Sequence, residues 1–170
     1  MSKKKLLILN NEQINDKIVR IAFQIYEDSF DEEELVLAGI AERGYVLAQR
    51  IQEEIERISP MRLSLIKVSL DKDSSELKAS TDQDITVAKN KVLILIDDVL
   101  NSGRTLAYGF GIFINVPLKK IRTAVLVDRS HHRYPIVSDF TGMKLSTVLN
   151  DEVKVELDIK NPEKDRAYLI

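Results

Sequence analysis

The chain of 170 residues contains no cysteine. That excludes disulfides, thiolate zinc sites and cysteine nucleophiles. No apolar run approaches the length needed to span a bilayer. Leu6–Leu9, after Lys3–Lys5, is too short for the core of a secretory signal and has no cleavage pattern after it, so a cytoplasmic protein is expected. A charge excess of one sign is also absent: 25 Lys and Arg stand against 27 Asp and Glu, a net charge of −2. Nucleic-acid binding would therefore need a local patch, since the overall field offers none. No repeat, low-complexity segment or linker divides the sequence, so one domain over residues 1–170 is expected. The two histidines, His131 and His132, are adjacent and cannot share a strand face. No third ligand is spaced to complete a metal site with them.

Apolar residues make up 44% and charged residues 31%, the balance of a packed globular domain. After a short strand at Leu6–Leu9, Asn10 or Asn11 is placed to cap a helix, with Gln13 able to complete a capping box on Asn10. Ile14, Ile18, Ile21, Ala22 and Ile25 then mark one helical face to about Asp28. The acidic run Asp31–Glu34 reads as a solvated connection, followed by a strand over Leu35–Ile40. Leu47, Ile51, Ile55 and Ile58 predict a second helix stopping before Pro60. Met61–Leu70 alternates as a strand, and the polar stretch 71–86 reads as a functional loop. A helix from about Gly103 to Asn115, a strand over Ile121–Val127, irregular chain at 130–150 and a last strand at Val153–Leu157 complete the pass. Strands alternating with helices imply an α/β fold with a doubly wound, mainly parallel sheet.

The most informative element is Lys91–Thr105. Five consecutive apolar residues, Val92–Ile96, predict a strand buried on both faces. Two adjacent carboxylates, Asp97 and Asp98, follow at once, and then a Ser102-Gly103-Arg104-Thr105 turn opens a helix. A small-residue turn at a helix N-terminus suits a phosphate. The paired carboxylates suit sugar hydroxyls or a cation, so the element reads as a sugar-phosphate site. Ligands of doubly wound sheets gather at the carboxyl ends of strands. That rule puts the Gly39–Gly44 turn, the 97–105 segment and Asp128-Arg129 on one rim.

These three segments resemble the type I phosphoribosyltransferases, whose signature is a strand, two acidic residues and a Thr/Ser-Gly-x-Thr/Ser phosphate turn; here it runs Ile94–Thr105. Within that superfamily the chain resembles the PyrR family along nearly its whole length. The likeness rests on Arg20-Ile21-Ala22, Gly39–Ala48, Ala124–Ile136 and the tail Glu152–Leu157. The chain differs from the family's usual Tyr-Thr-Gly-Arg-Thr turn by Asn101 and Ser102, and from its Tyr-Arg-Asp-Asp loop start by Asp71-Lys72-Asp73-Ser74.

The resemblance implies a type I phosphoribosyltransferase-like sheet with helices on both faces and a small hood. It implies transfer of phosphoribose from Mg²⁺-phosphoribosyl pyrophosphate to uracil, giving uridine monophosphate and pyrophosphate. Asn101, Ser102, Gly103, Arg104 and Thr105 would wrap the 5′-phosphate. Asp97 and Asp98 would accept ribose hydroxyls directly or through Mg²⁺. Arg43, between Gly39 and Gly44, would meet pyrophosphate, with Lys72 on a loop closing over the site and excluding water. Uracil would lie between Asp128-Arg129 and a hood near Ser138–Gly142.

Simpler readings stand beside these. Arg43 alone reads as a surface residue, Asp128-Arg129 as a strand-end ion pair, and Lys119, Lys120 and Arg122 as a solvated face. The competing functions are an RNA-binding attenuation regulator sensing UMP or UTP in the same pocket, and a purine-type phosphoribosyltransferase. The regulator would need Lys119, Lys120, Arg122, Arg133 and Lys144 on one face. A receiver-type signalling domain fits the spacing poorly, because its acidic pair comes early in the chain. Gly109 and Gly111, unusual in a helix, suggest close packing against a second subunit, and a homodimer or larger homo-oligomer is expected; no membrane contact is.

Overall fold

The computed structural model describes residues 5–71, 78–148 and 150–170. Its order of elements is β1 (Leu6–Leu9), α1 (Asn11–Asp28), β2 (Glu34–Ile40), α2 (Ala41–Ile58), β3 (Arg62–Asp71), β4 (Lys78–Thr81), β5 (Val92–Leu100), α3 (Arg104–Phe113), β6 (Lys120–Asp128), β7 (Phe140–Lys144), β8 (Val153–Glu156) and β9 (Arg166–Leu169). Short 3₁₀ turns lie at Ile85–Ala88 and Pro162–Lys164.

The main sheet has the strand order β4-β3-β2-β5-β6-β7. Strands β3, β2, β5, β6 and β7 are parallel, and β4 joins antiparallel at one edge. A separate antiparallel sheet, β1-β9-β8, is built from the two ends of the chain. It is the small hood.

Strand β5 runs through the middle of the main sheet and is buried on both faces, as its apolar run predicts. Val92, Ile94 and Ile96 pack with the buried faces of α1 and α2. Leu93 and Leu95 pack on the other side with Leu106 and Phe113 of α3. Helix α1 begins with the expected capping box: Gln13 N–H donates to Asn10 Oδ1 at 2.9 Å, and Asn10 N–H donates to Gln13 Oε1 at 3.0 Å. Its buried face is Ile14, Ile18, Ile21, Ala22 and Ile25. Helix α2 buries Leu47, Ile51 and Ile55 and ends at Ile58, before Pro60.

Several expectations need correction. The described residues of the polar stretch 71–86 are not all loop: Asp71 ends β3, Lys78–Thr81 form β4 and Ile85–Ala88 make the 3₁₀ turn. Polar side chains are tolerated there because β4 is an edge strand. Lys72 lies outside the described residues. The stretch 130–150 is irregular only in part, since β7 adds a sixth strand. Residues Ser138–Gly142 are therefore not in the hood but lead into and form the edge of the main sheet. Gly142 presses so close to β6 that a Cβ would stand 2.5 Å from the Leu126 carbonyl oxygen. Gly109 packs inside its own subunit: a Cβ there would meet Ile40 Cδ1 at 2.8 Å and Leu95 at 3.4 Å. Gly111 faces open space.

Candidate active site

The site is assembled at the carboxyl ends of β2, β5 and β6. Strand β5 does not stop at Ile96 but runs on to Leu100, because Asp97, Val99 and Leu100 pair with Val125, Val127 and Asp128 of β6. Both carboxylates are thus fixed by strand backbone. Asp97 is buried, at 7% exposure, and its Oδ1 accepts the Asp98 N–H at 2.9 Å. Asp98 is more open, and its Oδ2 lies 3.5 Å from Arg43 Nε.

The segment Gly39–Gly44 is not a turn. Gly39 is the last β2 residue paired with β5, Ile40 still pairs with Val68 of β3, and Ala41, Glu42, Arg43 and Gly44 form the first turn of α2. The strand-to-helix junction is compressed into Ala41, which takes the left-handed φ of 55°. For a residue with a Cβ that conformation is strained, and such strain gathers at functional sites. Nothing in the sequence signals it, because alanine is not a residue of left-handed turns. The packing is equally tight: a Cβ on Gly39 would stand 2.5 Å from Tyr45 Cα, and one on Gly44 would stand 2.9 Å from the Ile96 carbonyl and 3.3 Å from Asp97 Oδ1. The two glycines therefore let the start of α2 seat directly against the acidic end of β5. The helix N-cap is Ile40, which supplies no side-chain hydrogen bond. Its first-turn N–H groups are open to an anion. A cavity of about 300 Å³ lies here, walled by Ala41, Arg43, Leu70, Asp97, Asp98 and Thr105.

The turn after β5 forms a second, smaller cavity of about 120 Å³, bounded by Asp97, Asn101, Ser102, Gly103, Arg104 and Thr105. Gly103 is the N-cap of α3 with φ 86°, a conformation that favours glycine. It has no side chain to cap the helix, so N–H groups of the first turn stay available. The Ser102 hydroxyl accepts the Arg104 N–H at 3.3 Å. The turn is held from behind, because the Ser102 carbonyl accepts the N–H groups of Arg133 at 2.8 Å and Tyr134 at 3.0 Å. Arg104 stacks its guanidinium over Tyr108, 5.6 Å from the ring centroid, and Tyr108 meets Tyr134 edge-on.

Asp128 and Arg129 do not pair with each other. Asp128 Oδ1 accepts the Ser130 N–H at 2.8 Å and meets His132 Nε2 at 2.9 Å. Arg129, 4% exposed, donates to Asn101 Oδ1 at 3.1 Å and to Thr147 Oγ1 at 3.0 and 3.2 Å. It also reaches the Val148 and Asp151 carbonyls. At this end of β6 the rim is thus closed by contacts from Arg129 to Thr147, Val148 and Asp151. His131 and His132 lie in the loop after β6, as expected, with His131 Nε2 2.7 Å from the Thr147 carbonyl oxygen.

The expected basic face is largely neutralised within the chain. Lys119 pairs with Glu32 at 2.5 Å, and Lys120 and Arg122 pair with Asp28 at 2.8 and 3.3 Å. Of the acidic run read as a solvated connection, Glu32 is the partner of Lys119, while Asp28, at the end of α1, holds Lys120 and Arg122. Burial opposes ionisation of Asp28, but Lys120 and Arg122 outweigh it and hold the carboxyl below its ordinary pKa. Glu32 holds the Lys119 ammonium above its own.

No cluster of three or more acidic or histidine side chains able to hold a metal occurs among the described residues. No described helix is long and apolar enough to cross a membrane.

Comparison with known proteins agrees with this architecture. Residues 7–160 match the phosphoribosyl transferase domain family. The Bifunctional protein PyrR of Macrococcus caseolyticus is 34% identical over 172 residues, covering 97% of this chain and 98% of that protein. The Bifunctional protein PyrR of Bacillus subtilis is 35% identical, covering 91% of each. In fold, the chain is similar to a hypoxanthine-guanine phosphoribosyltransferase of Bacillus anthracis, with a TM-score of 0.73 at 20% identity over 89% of this chain and 86% of that one. A likeness of this extent, over nearly the whole length of both chains, settles the family: the chain belongs to the phosphoribosyl transferase domain family and, within it, to the PyrR proteins.

Proposed function

We propose that the protein transfers phosphoribose from phosphoribosyl pyrophosphate to uracil, releasing pyrophosphate and forming uridine monophosphate. The bond from C1 to the pyrophosphate oxygen breaks, the bond from C1 to uracil N1 forms, and the N1 proton leaves. The observation that carries this reading is the pairing of two anion-ready helix starts, those of α2 and α3, across the Asp97-Asp98 carboxylates.

In this reading the 5′-phosphate sits in the Asn101–Thr105 turn, bound by first-turn N–H groups and the Ser102 and Thr105 hydroxyls. Asp97 and Asp98 accept ribose hydroxyls, and their charge favours the cationic character that develops at C1 as pyrophosphate departs. Arg43 and the open start of α2 receive the pyrophosphate. Asp128, Arg129 and the 145–151 segment bound the base side. Lys72, outside the described residues, belongs to the loop proposed to cover the site and keep out water. Two carboxylates without a third protein ligand suit Mg²⁺, which commonly takes one or two carboxylates and fills its shell with water and substrate phosphates. Bound there, it would neutralise the leaving pyrophosphate.

The test is a panel of free bases (uracil, hypoxanthine, guanine, adenine) offered with Mg²⁺ and phosphoribosyl pyrophosphate. Product from uracil alone supports the reading. Product from purines alone makes the enzyme purine-type. No product with any base, together with sequence-preferring RNA binding tuned by UMP, makes the chain a regulator.

A further inference from the structure

The guanidinium of Arg129 is almost wholly buried, yet among the described residues its hydrogen bonds all go to neutral oxygens: Asn101 Oδ1, Thr147 Oγ1 and the Val148 and Asp151 carbonyls. No carboxylate among the described residues forms an ion pair with it. The adjacent Asp128 is turned to His132, and the Asp151 carboxylate accepts its own segment's Val148 N–H at 3.2 Å. Burying a cation without a counterion is expensive. The expense is recovered where a bound anion completes the pair.

The turn beside Arg129 needs such a cation. Its side chains Asn101, Ser102 and Thr105 are neutral, and Arg104 is drawn off over Tyr108. A phosphate placed there would also feel the nearby Asp97 carboxylate, which bounds the same cavity. A guanidinium can only donate, so Asn101 must present its oxygen to Arg129. That fixes the amide and leaves its Nδ2 group as a donor.

We propose that Arg129 is the buried countercharge for the phosphate held by the Asn101–Thr105 turn, acting through Asn101 and the low-dielectric interior rather than by contact. It is a positioning residue for the phosphate end of the substrate. The inference rests on the reading of that turn given above.

The experiment compares UMP with uridine, which differ only in the phosphate, by calorimetric titration and displacement. Wild type should favour UMP. Arg129→Met should cut the UMP-to-uridine affinity ratio on the order of tenfold, over and above any loss common to both ligands from the base side that Arg129 also bounds. Arg129→Lys keeps the charge and should restore most of it. Thr147→Asp supplies a carboxylate to Arg129 from the side away from Asn101, so it should keep the fold and its melting temperature while lowering the UMP preference. A purely structural clamp would weaken UMP and uridine together, and lysine, lacking the fork, would not rescue it. Arg129→Met with the wild-type UMP-to-uridine ratio overturns the proposal. If that variant does not fold, an unchanged ratio in Thr147→Asp does so instead. A wild type with no preference for UMP overturns the phosphate reading of the turn itself.

Discussion

Arg43 and Asp98 meet at the mouth of the site, Nε to Oδ2 at 3.5 Å. The same guanidinium donates from Nη1 to the Val155 carbonyl at 3.1 Å. One side chain therefore joins the first turn of α2, the acidic end of β5 and the hood. Half-exposed ion pairs of this kind contribute at most about 1 kcal/mol to stability. In the proposed reading its value lies in the pyrophosphate it would reach when Asp98 engages the sugar.

Arg43→Ala should therefore raise the KM for phosphoribosyl pyrophosphate at least about tenfold while shifting the melting temperature by only a few degrees, roughly what a loss of 1 kcal/mol causes. Steady-state kinetics beside a thermal melt checks both. A large loss of stability with unchanged KM would make Arg43 a hood strut only.

The glycines make graded predictions. Gly44→Ala drives a methyl to 2.9 Å from the Ile96 carbonyl, against backbone that cannot yield, and should cost about 1–3 kcal/mol. Gly109→Ala meets the movable tip of Ile40 at 2.8 Å and should cost less. Gly111→Ala enters open space within a helix and should stabilise by about 0.5–1 kcal/mol. Urea melts of the three variants should rank in that order.

Much of this was legible in the sequence where the signal is local. The run Val92–Ile96, the acidic pair and Gly103 lie within a dozen residues: the run is core, the pair follows it on the same strand, and Gly103 takes the left-handed cap. The face of α1 and its capping box were legible for the same reason. What was hidden depends on contacts far apart in the chain. Strand β7 contains Gly142 and no alternating pattern; it exists because β6 offers an edge. The hood pairs Leu6–Leu9 with Arg166–Leu169, a relation between chain ends that periodicity cannot show. Arg129 reads as a charged strand-end residue, and its bonds to Asn101, Thr147 and Val148, all far from it in sequence, show only in the fold.

The pairing of Asp28 with Lys120 and Arg122 sets an acid limb. Its folded pKa lies below the ordinary value of 3.8, so its stabilisation is present above that value and is lost as pH falls through the lowered one. Asp28→Asn should be less stable than wild type at pH 7 by up to about 1 kcal/mol, and the two should converge below the carboxylate range. Chemical denaturation at pH 7 and again near pH 2, well below the ordinary carboxylate range, measures the difference; a gap undiminished in acid would contradict an electrostatic origin.

Because Lys119, Lys120 and Arg122 already hold acidic partners, replacing all three by alanine should change any RNA affinity by less than about threefold at low salt. Filter binding over a salt series reads this directly. A steep drop in both affinity and salt slope would show that the face does carry RNA.

The central claim is that Asp97 and Asp98 serve chemistry at the sugar. The most direct measurement is uridine monophosphate formation from uracil and Mg²⁺-phosphoribosyl pyrophosphate by wild type and by the Asp97→Asn, Asp98→Asn double variant, each with its melting curve. The account predicts product from wild type and at least about a hundredfold loss in the variant, which still folds. Undiminished turnover in the folded double variant would contradict it.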